Sequence, residues 1–184
     1  MRWIAILVIN LFFINYVEAQ IGRFVNQTEI GLLTGNNQYP NFSARSFNGI
    51  RFKGAPFETG IAIGVDTYSQ FTITPVSVSC RWNPLETRSV SPYLGFDMGY
   101  GFDWLQHKSE GRRYSGGYLL SPSAGIRVKT TRSTKVVMNL SYKRQEASIL
   151  TDSNLPFLNT PNFKAYETSE YIFRRIYMSV GLNF

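Results

Sequence analysis

Apolar and polar side chains alternate in the last ten residues of the chain. One face would carry Ile176, Met178, Val180, Leu182 and Phe184, and the other Arg175, Tyr177, Ser179, Gly181 and Asn183. Successive side chains of a β-strand point to opposite faces, so this pattern predicts a strand with one apolar and one polar face.

The same period of two recurs along the rest of the chain. It predicts strands at residues 24–33, 42–52, 59–66, 72–82, 92–104, 117–129 and 136–145. The strand at 42–52 has the weakest pattern, because only Ile50 and Phe52 are clearly apolar at one end. With the last strand the total is eight, and single-chain bacterial membrane barrels have an even number of strands.

The lengths of the connections give an independent indication of the fold. If the N-terminus is periplasmic, the external connections are 34–41, 67–71, 105–116 and 146–170, and the periplasmic ones are 53–58, 83–91 and 130–135. The two longest connections are both external, and the C-terminus is periplasmic. Outer-membrane barrels have this asymmetry of long external loops and short periplasmic turns.

The first residues have the pattern of a secretory signal peptide. Arg2 supplies a positive charge, an apolar run follows from Trp3 to Ile14, and Ala19 is a small residue before the expected cut. We therefore expect residues 1–19 to be removed and residues 20–184 to form one barrel domain. An uncleaved membrane anchor is the alternative, although the apolar run is shorter than the ~20 residues that a spanning helix requires.

The two faces of the predicted strands differ in a way that favours a membrane barrel. The outward face is apolar and carries aromatic residues near strand ends, at Trp82, Trp104, Tyr118, Tyr142 and Phe184. The inward face carries charges, at Glu29, Asp66, Asp97, Asp103, Arg51, Arg81, Arg127, Lys129, Lys143 and Arg175. Eight strands enclose an interior that side chains can fill, so we expect paired charges and no wide channel.

Composition agrees with this interpretation. Aromatic residues are 15% of the chain and charged residues 17%, which is below the roughly 25% of ordinary soluble domains. The net charge of +7 would suit an anionic partner, but the predicted export makes nucleic acid improbable. Cys80 is the chain's one cysteine, so no disulfide within the chain and no cysteine-based metal site is expected.

Several segments give the chain a resemblance to known barrels. They are 26–35, 48–52, 60–66, 90–100 and the terminal 177–184. With these segments the chain resembles the small eight-stranded outer-membrane barrels of the OmpA/OmpX type, and especially the PorT-like outer-membrane β-barrel proteins common in Bacteroidetes. The resemblance implies an all-β, eight-stranded antiparallel up-and-down transmembrane β-barrel in the outer membrane of a Gram-negative cell. It implies little about function, because barrels of this fold have many different functions.

Two groups of residues are candidates for contacts with partners. Lys108, Arg112 and Arg113 in an external loop could meet lipopolysaccharide phosphates or an anionic partner, although loop charges are more often only solvated. Val180, Leu182 and Phe184 resemble the signal that the barrel-assembly machinery reads. The leading hypothesis is a non-enzymatic barrel that presents external loops or supports an envelope or secretion assembly with other proteins. Neither the specific role nor conduction follows from the sequence.

Two alternatives belong to other classes. A lipid-modifying enzyme would need a base near a nucleophile, and His107, Ser109 and Glu110 are only neighbours in one loop. A secreted lipocalin-like barrel would need an apolar lumen and a polar outside, the reverse of the predicted faces. We therefore expect no enzyme, and the sequence assigns no catalytic, cofactor-binding or metal-binding residue.

Overall fold

Eight antiparallel strands close into one barrel in the computed structural model of the chain. The structure describes residues 22–35, 38–68, 72–85, 88–104, 112–131, 133–153 and 165–184. Each strand pairs with the next along the chain, and β8 pairs with β1 to close the sheet. This confirms the predicted fold class, and closure leaves no strand edge with unpaired backbone groups.

The strands differ in length around the barrel. They are β1 (Arg23–Gly35), β2 (Gln38–Arg51), β3 (Phe57–Thr67), β4 (Thr72–Trp82), β5 (Val90–Phe102), β6 (Arg112–Lys129), β7 (Lys135–Ser153) and β8 (Ala165–Asn183). The prediction for β4 agrees at both ends. The last three strands have 18, 19 and 19 residues, so one side of the barrel wall is much taller than the other.

The two ends of the barrel are distinguished by the chain termini. We call the end where β1 begins and β8 ends the terminal rim, and the opposite end the distal rim. The terminal rim holds the short connections, including a turn in which Phe52 and Phe57 are joined by a backbone hydrogen bond. Gly54 in this turn has a φ of 79°, a conformation that side chains other than glycine rarely adopt.

The outward side chains of the barrel form an apolar belt, as the alternation predicts. On β8 the belt residues are Ile176, Met178, Val180 and Leu182, and Phe184 follows directly after the strand; each is between 44% and 50% exposed. The five aromatic residues expected on this face are also exposed, namely Trp82, Trp104, Tyr118, Tyr142 and Phe184. Tyr118 and Tyr142 lie within long strands, however, and not at strand ends as expected.

The predicted borders of the two longest external loops are wrong. Arg112 and Arg113 begin β6 and pair with Thr151 and Leu150, so the connection ends before them. The expected loop 146–170 is largely strand, because β7 continues to Ser153 and β8 starts at Ala165. Beyond Tyr142 the outward positions become polar, at Arg144 and Glu146, so the apolar-outward rule used for the prediction fails there.

The expectations for the N-terminal region concern residues that the structure leaves out. The signal peptide predicted for residues 1–19 lies outside the described residues. No helix among the described residues is long and apolar enough to cross a membrane.

Candidate functional site

The interior of the barrel is built from inward side chains of all eight strands, and its central layer is charged. Glu29 on β1, Arg45 on β2 and Asp97 on β5 are joined in one cluster. Arg45 pairs with Asp97 and lies 3.4 Å from Glu29. Glu29 also accepts hydrogen bonds from Ser179 at 2.6 Å and from Asn139 at 3.2 Å. Both carboxylate oxygens of Glu29 therefore have polar partners.

A second charged cluster lies toward the terminal rim around Glu58. Arg127 contacts this carboxylate with both terminal nitrogens, Nη1 to Oε1 at 2.7 Å and Nη2 to Oε2 at 2.8 Å. Arg51 donates from Nε to Oε1 at 3.1 Å, and Gln27 accepts from Arg127 Nε at 3.1 Å. Such a bidentate pair fixes both side chains in orientation as well as distance.

A third group of charges, an ion pair, lies on the distal side of the central charged layer. Asp66 on β3 is fully buried, pairs with Lys143 of β7, and accepts a hydrogen bond from Ser43 at 2.6 Å. Tyr68, which follows β3, is also buried, and this burial raises the pKa of its hydroxyl well above its usual value.

Arg81 differs from the other buried cations. Its side chain is 1% exposed and lies over the ring of Phe47, with the guanidinium carbon 3.9 Å from the ring centroid. Its Nη2 is 3.9 Å from Glu29, and neither terminal nitrogen has a hydrogen-bond partner among the described residues. The aromatic face thus supplies contacts that other arginines of the interior receive from carboxylates.

Apolar side chains fill the lumen on both sides of the charged layer. Toward the distal rim, the buried members of a cluster are Leu33, Tyr68, Ile73, Ala147, Ile149 and Tyr177. Three partly buried aromatic residues pack against it, namely Tyr114, Tyr171 and Phe173. A smaller cluster lies toward the terminal rim and consists of Val25, Phe47 and Ala62.

One cavity in the central layer of the lumen is very small. The cavity lined by Arg45, Asp97, Lys143 and Tyr177 has a volume of about 10 Å³. This is near the smallest volume that holds one water molecule. Around this cavity the described side chains of the central layer are closely packed.

The inward charges agree in part with the sequence prediction. Asp66, Asp97, Arg81, Arg127, Lys143 and Arg175 are buried inside, as is Glu29, and Arg51 contacts Glu58. Lys129 is instead exposed, and Asp103 lies beyond the end of β5. Sequence reasoning missed Arg45 and Glu58. Glu58 comes one residue before the predicted start of β3, and extending that alternation by one residue would have placed it inside.

The residues of the candidate assembly signal lie outside this interior. Val180 and Leu182 lie on the outer face of β8, and Phe184 follows the strand. The backbone of Phe184 exchanges two hydrogen bonds with Asn26, at 2.9 and 3.2 Å. Arg112 and Arg113 are at the distal end of β6. Lys108 lies outside the described residues, as do His107, Ser109 and Glu110 of the enzyme alternative.

The described residues bring together no group of three or more histidine, cysteine or acidic side chains that could hold a metal ion. Cys80 has no disulfide partner and is exposed on the outer face of β4. The buried carboxylates described above are each in contact with a cation. The charges of the described interior are therefore largely engaged with one another.

Comparison with known proteins supports the fold without showing a family. No protein-family model and no curated protein matches the chain. Among solved structures, the chain is similar to the outer membrane protein OprG from Pseudomonas aeruginosa, with a TM-score of 0.55 at 10% identity over 90% of this chain and 97% of that one.

Two further solved structures have the same architecture. The outer membrane protein AlkL matches with a TM-score of 0.54 at 10% identity, covering 90% of each chain. Neisserial surface protein A matches with a TM-score of 0.50 at 12% identity, covering 87% of this chain and 94% of that one. At such identities the likeness shows the shared fold, that of small outer-membrane barrels.

Proposed function

We propose that this protein is an integral outer-membrane barrel with no catalytic activity. The barrel holds its long distal end at the cell surface and conducts no solutes. The observation that carries the proposal is a lumen that, in the described residues, paired charges and apolar side chains fill, inside an apolar belt. The distal end would present loops or support an envelope or secretion assembly. Both termini would be periplasmic, because the short turns share the terminal rim with them.

The belt supports the membrane location by its dimensions. On β8 it runs from Ile176 to Phe184, and Arg174 follows as the next outward residue. Nine residues at ~3.4 Å each, on a strand tilted by about 40°, span ~23 Å along the barrel axis. This is close to the ~25 Å apolar band of outer-membrane barrels.

The interior supports the absence of conduction. The charged layer is crossed by pairs that link opposite walls, such as Arg127 on β6 with Glu58 on β3 and Lys143 on β7 with Asp66 on β3. The distal cluster around Leu33 and Ile149 adds an apolar layer above it. An ion would have to break these pairs and then cross an apolar layer, and both steps are unfavourable.

The same interior argues against a lipocalin-like carrier and against a catalytic site in the described lumen. A general base needs a free carboxylate or imidazole beside a nucleophile, whereas Glu29, Glu58, Asp66 and Asp97 are each paired with a cation. A lipocalin-like carrier needs an apolar cavity, and here the central layer is charged while the outside is apolar. At the distal end, Lys108, Arg112 and Arg113 remain the proposed contact for lipopolysaccharide phosphates or another anionic partner.

Two measurements on the full chain test the proposal. Unboiled protein from the outer-membrane fraction should migrate faster on a denaturing gel than boiled protein, because a closed barrel resists the detergent. Reconstituted into planar bilayers, the same preparation should give no conductance steps, with a general porin as the positive control. A single band in the soluble periplasmic fraction would refute the membrane location, and regular conductance steps would refute the closed lumen.

A further inference from the structure

Four polar side chains form a cluster on the outer face of β1 and β2, inside the belt that otherwise is apolar. They are Asn26 and Thr28 on β1 and Ser46 and Asn48 on β2, and we call them the polar island. Asn26 is paired with Asn48 across the two strands, and Thr28 with Ser46. Thr28 and Asn48 are exposed, and the other two are half-buried.

Apolar residues surround the polar island within the belt. Along β1 it lies between Phe24 and Ile30, which are 63% and 54% exposed. Along β2 the next outward residue toward the terminal rim is Ile50, and the next two toward the distal rim are Ala44 and Phe42. The neighbouring strands present Ile61 and Ile63 on one side and Val180 and Leu182 on the other. The island is therefore not part of a polar rim.

Hydrogen bonds join the four side chains to one another. Asn26 Nδ2 donates to Asn48 Oδ1 at 2.7 Å, and Thr28 Oγ1 donates to Asn26 Oδ1 at 3.3 Å. The hydroxyls of Thr28 and Ser46 are 3.3 Å apart. Asn48 Nδ2 has two hydrogens, and its hydrogen bond among the described residues is a long one to Ser46 Oγ, at 3.4 Å. Donor capacity therefore remains at the exposed side of the island.

Lipid chains cannot use this remaining capacity, because they carry no donors or acceptors. A protein surface with amide and hydroxyl groups can. We propose that the polar island is the contact by which two copies of this chain form a two-fold dimer in the membrane. The inference rests on the proposed function, since it requires the belt to face lipid.

The chemistry of the island favours a second copy as the occupant. In a two-fold interface the same patch meets itself, so the patch must be self-complementary. Asparagine, serine and threonine each carry a donor and an acceptor, and none of the four is charged. Ala44 and Ser46 are small, which lets the two walls approach closely, as small residues do at contacts between membrane helices.

Cysteine cross-linking tests the position of the contact. In a background of Cys80→Ser, we would introduce Ser46→Cys or Thr28→Cys singly, and Val78→Cys on β4 as a control that also faces lipid and is 63% exposed. Oxidation in isolated outer membranes should give at least tenfold more disulfide-linked dimer at an island position than at residue 78. Equal yields, or more dimer at residue 78, would overturn the proposal.

Sedimentation in detergent tests whether the polar groups carry the association. The wild-type chain should be a dimer, and Asn26→Leu with Asn48→Leu should raise its dissociation constant at least tenfold. The control pair Val78→Leu with Met98→Leu should leave it unchanged. A wild-type monomer, or a dimer equally stable in both variants, would overturn the inference.

The heat-modifiability gel separates this failure from that of the proposed function. A monomer that still shows the fast unboiled band overturns the dimer alone and leaves the membrane barrel standing. A chain without that band in the outer-membrane fraction overturns both.

Discussion

Glu58 illustrates, at the scale of a single residue, how the barrel holds charge in its interior. Its side chain is fully buried and contacts Arg51 and Arg127, which reach it from β2 and β6. Burying three charged groups costs hydration, and the bidentate geometry offsets much of that cost. Removing one charged member therefore lowers the free energy of unfolding by more than the whole cluster contributes to it on balance.

The change Glu58→Gln tests this reasoning. It preserves the shape of the side chain but removes the negative charge that Arg51 and Arg127 both contact, so we expect a loss of about 3 kcal/mol in the free energy of unfolding. The measurement is urea unfolding in lipid vesicles, with the folded fraction read from heat-modifiability on a gel. The control is Glu146→Gln, whose partly exposed pair with Arg144 should contribute less than about 1 kcal/mol. Equal losses in the two variants would contradict the argument.

The sequence predicted some of these residues and missed others for a physical reason. Asp97 and Arg127 lie on strands with clear alternation, so their inward direction follows from the period of two. Arg45 lies on β2, where the outward positions include Ser46 and Asn48, and the contrast between faces is lost. The pairing of Arg127 with Glu58 could not be predicted, because it joins residues on strands that are not neighbours.

At the scale of strands, the alternation reverses where the wall leaves the apolar belt. On β7 the outward residues pass from Leu140 and Tyr142 to Arg144 and Glu146, while Ile149 points into the distal cluster. The distal part therefore follows the pattern of a barrel in water, with apolar groups inside. The sequence prediction used the membrane rule throughout, so it ended β7 at Gln145 and assigned the rest to a loop.

Gly125 is required on β6 by the aromatic ring that faces it across the sheet. It pairs with Tyr93 of β5, and a Cβ at this position would lie 2.6 Å from the Tyr93 ring and 2.6 Å from the Met138 carbonyl oxygen. We expect Gly125→Ala to reduce the free energy of unfolding by about 1–3 kcal/mol, as overpacked interiors do. Ser123→Ala, which adds no volume to the same face, is the control for urea unfolding. An unchanged stability for Gly125→Ala would refute this account.

Phe184 tests whether the end of β8 acts as an assembly signal. Its backbone pairs with Asn26 whatever the side chain is, and the residue is 50% exposed. We therefore expect Phe184→Ala to lower the amount of barrel in the outer membrane of cells, yet to leave refolding into lipid vesicles nearly unchanged. Leu182→Ala tests the same signal one outward position earlier. Equal losses in cells and in vesicles would indicate a role in stability alone.

At the scale of the whole molecule, the barrel is asymmetric along its axis and around it. The terminal rim ends close to the belt, whereas β6, β7 and β8 continue well beyond it. Most of its outward residues on β7 and β8 are polar, with Ile172 as an exposed exception, and the distal apolar cluster lies inside, which is the pattern of a wall that faces water. A structure of this kind suits an anchor that holds a surface at a fixed distance from the membrane.

Cysteine labelling can test that orientation in intact cells. In a Cys80→Ser background, Ser148→Cys should react with a membrane-impermeant maleimide, because residue 148 is outward on β7 beyond the belt. Leu140→Cys, also outward on β7 but within the belt, should react at least tenfold less, because lipid excludes the reagent. If the distal rim instead faces the periplasm, Ser148→Cys will react only after the outer membrane is permeabilised. That result would reverse the proposed orientation while leaving the barrel and its belt intact.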